Sequence, residues 1–166
     1  MLARQLEQVA AVEKVTVYEA TVMAPPSSYV RQHKDQVRPA RFDVVVLVET
    51  TSPETTREVQ ATSAYQALYD LLRDQARRLH VIAARNAKRV GDVDKTRPGT
   101  FLLNHFVGDD PQVVVALWDY LAGWYQTETG TDNSTLLAPQ KSFRSYMLAN
   151  LDAHNVGAMP ILYRLA

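Results

Sequence analysis

Two segments of the chain repeat one arrangement, in which an apolar, β-branched run leads into a helix-capping residue and a proline. Residues 42–51 precede the tripeptide Ser-Pro-Glu, and residues 101–107 precede the tripeptide Asp-Asp-Pro after one glycine. A side-chain oxygen can cap the first turn of a helix, and proline is favoured at the first helical position. The sequence therefore predicts two strand-to-helix units, which require a sheet covered by helices.

The two units continue in the same way along the chain. Apolar residues at helical spacing predict one helix over residues 53–79 and a second over residues 111–127. Each helix precedes a plausible strand, at residues 80–90 and 134–139. Residues 42–139 thus follow the order β-α-β-β-α-β, which predicts an α+β fold with a ferredoxin-like core and an antiparallel sheet.

Five further segments flank this core. Residues 2–12 have the pattern of a short amphipathic helix, and residues 15–23 that of an extra N-terminal strand. Residues 24–41 have loop composition, with three prolines and two serines. Residues 142–153 are predicted to form a C-terminal helix, and residues 158–165 an extended tail.

Composition limits the class of protein. The 166 residues are 46% apolar and 22% charged, which suits one globular domain. No apolar stretch reaches the roughly 18 residues that a membrane helix needs. The chain has no cysteine, which excludes disulfides and thiolate ligands. Its N-terminal segment contains Glu7 and no apolar leader, so we expect a cytoplasmic protein that does not bind membranes.

The second predicted helix is apolar around most of its circumference. Asp119 is the only charged residue between Pro111 and Gln126. A helix of this kind is covered on more than one side. Either the predicted C-terminal helix covers its second face, or a second subunit does.

One face of the predicted four-stranded sheet carries no helix, and its residues are apolar. The candidates for this face are Val45, Leu47, Leu103 or Leu102, and Leu136 or Leu137. A monomer rarely exposes so large an apolar patch, and two copies placed sheet to sheet would bury it. We therefore expect a homodimer.

The element order, the apolar open face and the length resemble the dimeric α/β-barrel superfamily. This superfamily includes small antibiotic-biosynthesis-type monooxygenases, stress-responsive barrel proteins and members without assigned activity. The resemblance covers residues 42–139 and implies a two-copy barrel and monooxygenase-like chemistry without a metal. No family motif matches residue by residue, so the resemblance identifies no catalytic residue.

The polar pair Asn104 and His105 interrupts an otherwise apolar strand. Because successive strand residues face opposite sides, one of the pair faces the helices and the other faces the barrel interior. In the functional interpretation, the pair is catalytic and His105 lines the cavity as an acid–base or hydrogen-bonding group. In the alternative, both side chains are satisfied within the core or at the dimer interface.

Four further residues are candidates for substrate binding. Glu49 would lie next to His105 if their strands are neighbours in the sheet, or else it lies at a solvated strand end. Tyr65 and Trp118 would contact an apolar or aromatic substrate. Arg85 would bind the acidic group of an anionic ligand.

The charges are unevenly distributed. Residues 73–97 contain eight basic and three acidic residues, whereas residues 98–140 contain five acids and no Lys or Arg. The basic segment has no aromatic residue for base stacking, so attraction between the two segments is favoured over nucleic-acid binding. The spacing of Asp92 and Asp94 suits an exposed turn better than a calcium loop.

The remaining motifs suggest no cofactor. The four histidines are dispersed, so no metal site is predicted.

Two functions stay open: a small-molecule-handling protein, of which a monooxygenase-like enzyme is one form, and a non-catalytic dimeric binding or interaction protein. A ligand cavity of more than about 300 Å³ would favour the first.

Overall fold

The protein is an α+β molecule, and its described residues form one antiparallel sheet of seven strands with helices on its faces. A computed structural model describes residues 2–23, 25, 28–33, 35, 41–91, 96, 99–107, 110–129, 133–140, 146–151 and 161–165. In chain order the elements are α1 (Leu2–Leu6), β1 (Val12–Met23), α2 (Ser28–Gln32), β2 (Val44–Thr50), α3 (Thr56–Gln60), α4 (Ser63–Gln75), β3 (Ala84–Val90), β4 (Phe101–Val107), α5 (Pro111–Thr129), β5 (Ser134–Pro139), β6 (Tyr146–Leu151) and β7 (Ile161–Leu165).

The strand order is β2-β1-β7-β4-β6-β5-β3, and it differs from the expected ferredoxin-like order. In that order β2 would lie between β4 and β5, whereas β2 is an edge strand that pairs with β1. The difference arises because β1, β6 and β7 pair with strands of the expected core and separate them. The edge strands β2 and β3 do not pair with each other, so the described strands form no closed barrel.

The predicted C-terminal helix over residues 142–153 is wrong, because Tyr146–Leu151 forms strand β6. Leu148 aligns with His105 of β4 on one side and with Leu137 of β5 on the other. A strand paired on both sides satisfies its backbone groups through residues outside its own segment, and this pairing outweighs a short helical pattern. Of the tail predicted over residues 158–165, Ile161–Leu165 is extended as expected and forms β7, and residues 158–160 lie outside the described residues.

The first predicted helix is divided into α3 and α4. Thr62 adopts an extended backbone conformation, and its Oγ1 accepts a hydrogen bond from the backbone N–H of Tyr65 at 3.3 Å. This N-cap starts a new helix where the periodic pattern predicts continuity. Pro53 lies in the turn before α3 and is not the first helical residue.

The second helix begins as predicted. Pro111 is the first residue of α5, and Asp110 Oδ1 accepts a hydrogen bond from the backbone N–H of Gln112 at 2.8 Å. The capping residue and the proline act within a few residues of each other, so local sequence determines this end. The helix extends to Thr129, two residues beyond its predicted end.

The other predicted elements differ mainly in their bounds. Helix α1 is shorter than predicted and β1 is longer at its start, β3 begins at Ala84, and β5 spans its predicted residues. Within the predicted 24–41 loop the structure describes α2 and a few neighbouring residues, and the rest of that segment lies outside the described residues. Helix α2 contributes one turn where only a loop was expected.

Among the side chains that the structure describes, the buried ones form three clusters. One lies between α5 and the sheet and contains Leu102, Trp118, Ala122, Tyr125 and Leu136. A second packs α1, α3 and α4 against β1 and contains Leu6, Val12, Val15, Val59 and Leu68. In the third, Tyr18 of β1 meets Phe101 of β4 edge to face, with ring centroids 5.3 Å apart, across the intervening strand β7.

Candidate functional site

A large cleft opens beside the free edge of β2. Its volume is about 1020 Å³, and β2, α3, α4, residues 76–83 and β3 line it together with one residue of β4 and two of β5. Both edge strands of the sheet contribute to this one cavity. The sheet therefore curves around the cleft and brings distant parts of the chain together.

The walls of the cleft are largely apolar. Strand β2 lines it along its whole length, and α4 adds one face of leucine and tyrosine side chains. The apolar lining includes Val45, Val46, Leu47, Val48, Leu68, Leu72 and Leu137. Such walls favour the hydrocarbon or aromatic part of a ligand.

Phe42 lies at the centre of the polar part of the cleft. Its ring centroid is 6.1 Å from that of His80 and 6.1 Å from that of His105. The guanidinium carbon of Arg78 lies 5.1 Å from the centroid of the Phe42 ring, in cation–π geometry. We call these four residues the Phe42 cluster.

The two histidines of this cluster are held in their neutral form. The pKa of His105 is lowered from its ordinary value of 6.5 to about 4, first by burial, then by His80, whose protonated form would repel a second charge, and by the positive charge of Arg78. Burial and the Arg78 charge also lower the pKa of His80. At neutral pH the His105 ring can therefore donate one hydrogen bond and accept another.

Glu49 and Tyr65 line the same cleft as His105. The prediction that Glu49 sits on a strand next to that of His105 is wrong, because β1 and β7 lie between β2 and β4. Tyr65 stacks on Tyr69 with ring centroids 6.4 Å apart. Burial raises the pKa of Tyr65, so its hydroxyl stays protonated and can donate a hydrogen bond.

Arginines outnumber acids around the cleft. Arg85, a candidate for binding an anionic ligand, lines the cleft from β3 together with Arg89. The five arginines of the lining are Arg41, Arg77, Arg78, Arg85 and Arg89, and the three acids are Glu13, Asp43 and Glu49. The cleft thus combines apolar walls with an excess of positive charge.

Asn104 and Trp118 lie away from the cleft, contrary to their prediction as site residues. Trp118 belongs to the cluster beneath α5, and Asn104 shares a strand face with Leu102 of that cluster. Both side chains are buried, and among the described residues neither Asn104 Oδ1 nor Trp118 Nε1 has a hydrogen-bond partner. The alternation along β4 predicted that only one of Asn104 and His105 faces a cavity, and that residue is His105.

One end of the cleft is held by a side chain that joins distant segments. Gln140 Nε2 donates a hydrogen bond to the carbonyl of Pro53 at 3.0 Å, and its backbone N–H donates to the carbonyl of Ala83 at 2.9 Å. The turn before α3 is thereby fixed to the segment that follows β5. This link positions two parts of the lining relative to each other.

Sequence reasoning missed three members of the Phe42 cluster. Phe42 was predicted only to start a strand, Arg78 only to lie within the helix over residues 53–79, and His80 only to start the strand over residues 80–90. The sequence offers only a weak signal that these three residues belong together. Arg78 and His80 lie on either side of the predicted helix end at residue 79, and Phe42 is far from both in the chain. Only the curvature of the sheet places them around one ring.

The predicted attraction between the basic and acidic segments is confirmed at one position. Lys88 of β3 forms an ion pair with Asp119 of α5. The two side chains are a little over 40% exposed, so the pair adds little stability. Gly91, with φ 59°, follows β3 in the left-handed conformation that glycine favours, and Asp92 and Asp94 of the predicted turn lie outside the described residues.

Comparison of the chain with protein-family models, curated proteins and solved structures finds no match in any of the three. In the part of the chain that the structure describes, no helix is long and apolar enough to cross a membrane. The described residues also contain no group of three or more His, Cys, Asp or Glu placed to hold a metal ion. The resemblance to the dimeric α/β-barrel superfamily stays a prediction.

Proposed function

We propose that the protein binds a small molecule with an apolar or aromatic body and an anionic head in the cleft beside β2. The observation that carries this proposal is the cleft itself, which joins long apolar walls to the polar Phe42 cluster. Its volume of about 1020 Å³ reaches the upper end of the range usual for ligand sites.

The body of the ligand is assigned to the walls of β2 and α4. Each methylene group buried there contributes about 0.8 kcal/mol to binding. Tyr65 and Tyr69 add flat aromatic surface on one side, and Phe42 adds it on the other. This composition suits an aromatic or branched hydrocarbon body better than a sugar or a nucleotide.

The head of the ligand is assigned to the Phe42 cluster. Arg78 supplies a positive charge there, and neutral His105 supplies a hydrogen bond. Arg85 and Arg89 add positive charge from the β3 side of the cleft. A carboxylate or sulfonate matches these groups in charge and geometry.

The state of His105 favours binding over proton transfer. A base whose conjugate acid has a pKa of about 4 is weak at neutral pH, whereas a general base works best near the operating pH. We therefore assign His105 to hydrogen bonding with the ligand. Monooxygenase-like catalysis without a metal, which the resemblance implies, stays a prediction.

A pair of probes that differ by one group tests both parts of the proposal. The anionic dye 8-anilinonaphthalene-1-sulfonate and its neutral analogue N-phenyl-1-naphthylamine share the same aromatic body. Fluorescence titration should show saturable binding of one molecule per chain. The anionic dye should bind about tenfold more tightly, because it alone can pair with Arg78.

Two variants of neighbouring residues on β4 supply the matched comparison. His105→Leu should weaken binding of the anionic dye about tenfold, and Asn104→Leu should change it less than about twofold, because Asn104 faces α5. Binding without a fixed stoichiometry, or an equal effect of both substitutions, would refute the cleft as the site. In that case the non-catalytic interaction protein would be the better description.

A further inference from the structure

One face of α5 exposes a straight line of large apolar side chains. Val113, Leu117, Tyr120 and Trp124 recur at intervals of three and four residues, and Tyr120 and Val113 are 72% and 62% exposed. Residues at these intervals lie on one side of a helix. We call them the α5 stripe.

The helix predicted over residues 142–153, which would have covered α5, is not formed at its central residues. Residues 146–151 form a strand inside the sheet, between β4 and β5. The opposite side of α5, with Trp118 and Tyr125, already packs on the sheet. The stripe is therefore a second apolar side of α5 that the sheet does not cover.

Gly123 gives an independent indication that another backbone approaches this side. It lies inside a helix of 19 residues, where glycine is a much poorer former than alanine. A Cβ atom added at Gly123 would have no atom within 4 Å of it. Packing within the described protomer therefore does not require glycine here, whereas close approach of a second helix would.

We propose that the α5 stripe is the interface of a homodimer, in which two copies of α5 pack antiparallel about a two-fold axis. With the axis between Leu117 and Tyr120, Val113 lies opposite the partner's Trp124, and Leu117 lies opposite the partner's Tyr120. Small and large side chains thus alternate across the axis. On the flank of the stripe the same pairing sets Ala116 beside the partner's Gly123, where the two backbones can approach closely.

Electrostatics and area both favour a second copy as the occupant. The last turn of α5 contains no basic residue, so its negative end is not compensated within the helix, and an antiparallel copy places a positive helix end beside it. The stripe exposes on the order of 400 Å² of apolar surface per copy. With its flanks, a symmetric pair approaches the roughly 1,200 Å² of the smallest specific interfaces.

This interface lies on the face of the sheet opposite the cleft. Leu102 and Leu136 face α5, whereas His105 and Leu137 of the same strands line the cleft. The dimer proposal and the ligand proposal can therefore fail separately.

Sedimentation velocity over a range of protein concentrations tests the dimer. Wild-type protein should form a species of twice 18.6 kDa. Leu117→Gln should raise the dissociation constant at least tenfold. Leu71→Gln on α4 is the matched control, because Leu71 is 48% and Leu117 51% exposed; it should leave the dissociation constant unchanged.

Gly123→Ala separates an interface from a merely exposed surface. In a monomer this substitution should raise the thermal midpoint, because alanine favours the helix and meets no atom. In the proposed dimer it should also weaken association at least fivefold. A monomer at all concentrations, or a dimer that neither Leu117→Gln nor Gly123→Ala weakens, would overturn the proposal.

Tryptophan fluorescence provides a readout that needs no substitution. Trp124 is 47% exposed, whereas Trp118 is buried, so association should selectively protect Trp124 from acrylamide. The accessible fraction of emission should fall as protein concentration rises. An accessible fraction that is constant across the dimerisation range would contradict an interface at the stripe.

Discussion

His105 is a half-buried imidazole whose surroundings oppose protonation. Burial removes water from the ring, and a charge on it would be repelled by His80 when that ring is protonated and by Arg78. Folding therefore depresses the affinity of His105 for a proton, and the unfolded chain binds that proton more readily. This difference links the stability of the fold to pH.

The direction of this pH dependence follows from the pKa of His105 in the folded and in the unfolded state. Above about pH 6.5 the ring is neutral in both states and contributes no difference. Between pH 6.5 and about 4 the unfolded state takes up a proton that the folded state does not, so stability falls by up to about 3 kcal/mol. Urea unfolding of wild-type protein and of His105→Leu should diverge in pH dependence within this window.

The neighbouring residue on β4 provides the control. Asn104→Leu removes no titratable group and should keep the full pH dependence of the wild-type protein, because Asn104 does not line the cleft. If His105→Leu keeps the same slope as wild type between pH 6.5 and 4, the imidazole is not held neutral by its surroundings.

For single residues, the sequence predicted the side of a strand that a side chain faces better than it predicted which residues lie next to each other. The alternation along β4 predicts that Asn104 and His105 face opposite sides, because strand geometry is local. The position of Glu49 relative to His105 depends on which strands pair, and no local pattern specifies that β1 and β7 lie between them. Phe42, Arg78 and His80 form a cluster only after the sheet curves.

Among the elements, the joint between α3 and α4 depends on one threonine. Thr62 Oγ1 accepts a hydrogen bond from the backbone N–H of Tyr65 and donates one to the carbonyl of Val59 at 2.7 Å. It thus caps the second helix and ties it to the end of the first. The bend allows α4 to pack against α1 while its other side lines the cleft.

Removal of this cap should weaken the fold by a modest amount. Thr62→Ala should lower the free energy of unfolding by about 1 kcal/mol, because one backbone N–H loses its partner. Chemical denaturation measures the change. Ser63→Ala, one residue further along, should be neutral or slightly stabilising, and equal losses in both variants would exclude a capping role.

Prediction of elements succeeded where short-range signals act. The Asp110 cap and Pro111 mark the start of α5 within two residues, and β5 lies at its predicted position. Residues 142–153 were predicted to form a helix that would cover α5 with the apolar residues Phe143, Tyr146, Met147 and Leu151. Pairing with β5, which precedes this segment closely in the chain, and with the more distant β4 makes Tyr146–Leu151 a strand.

In the whole molecule, β7 holds two groups of strands together. Strands β2 and β1 lie on one side of it and β4, β6, β5 and β3 on the other. Residue 163 aligns with Ala20 of β1 and with Phe101 of β4. Among the described residues, the backbone pairing between the two groups passes through β7 alone.

A proline within β7 should uncouple the two groups. Tyr163→Pro removes a backbone N–H from a central strand and should lower the free energy of unfolding by about 3 kcal/mol. Amides of β1 and β4 should lose protection from hydrogen exchange, whereas β3 and β5 should keep most of theirs. Tyr163→Phe retains the N–H and serves as control; uniform loss of protection would indicate one indivisible unit.

The position of β7 has a consequence for synthesis on the ribosome. Strands β1 and β2 emerge first with α1, α3 and α4, and β3 to β6 emerge later with α5, so each group is a continuous stretch of chain that can begin to fold when it appears. The strand that joins them is translated after both. The nascent chain therefore holds two partly formed sheets with exposed central edges until residues 161–165 leave the exit tunnel. We expect the chain to be most prone to aggregation, and most dependent on chaperones, during this interval.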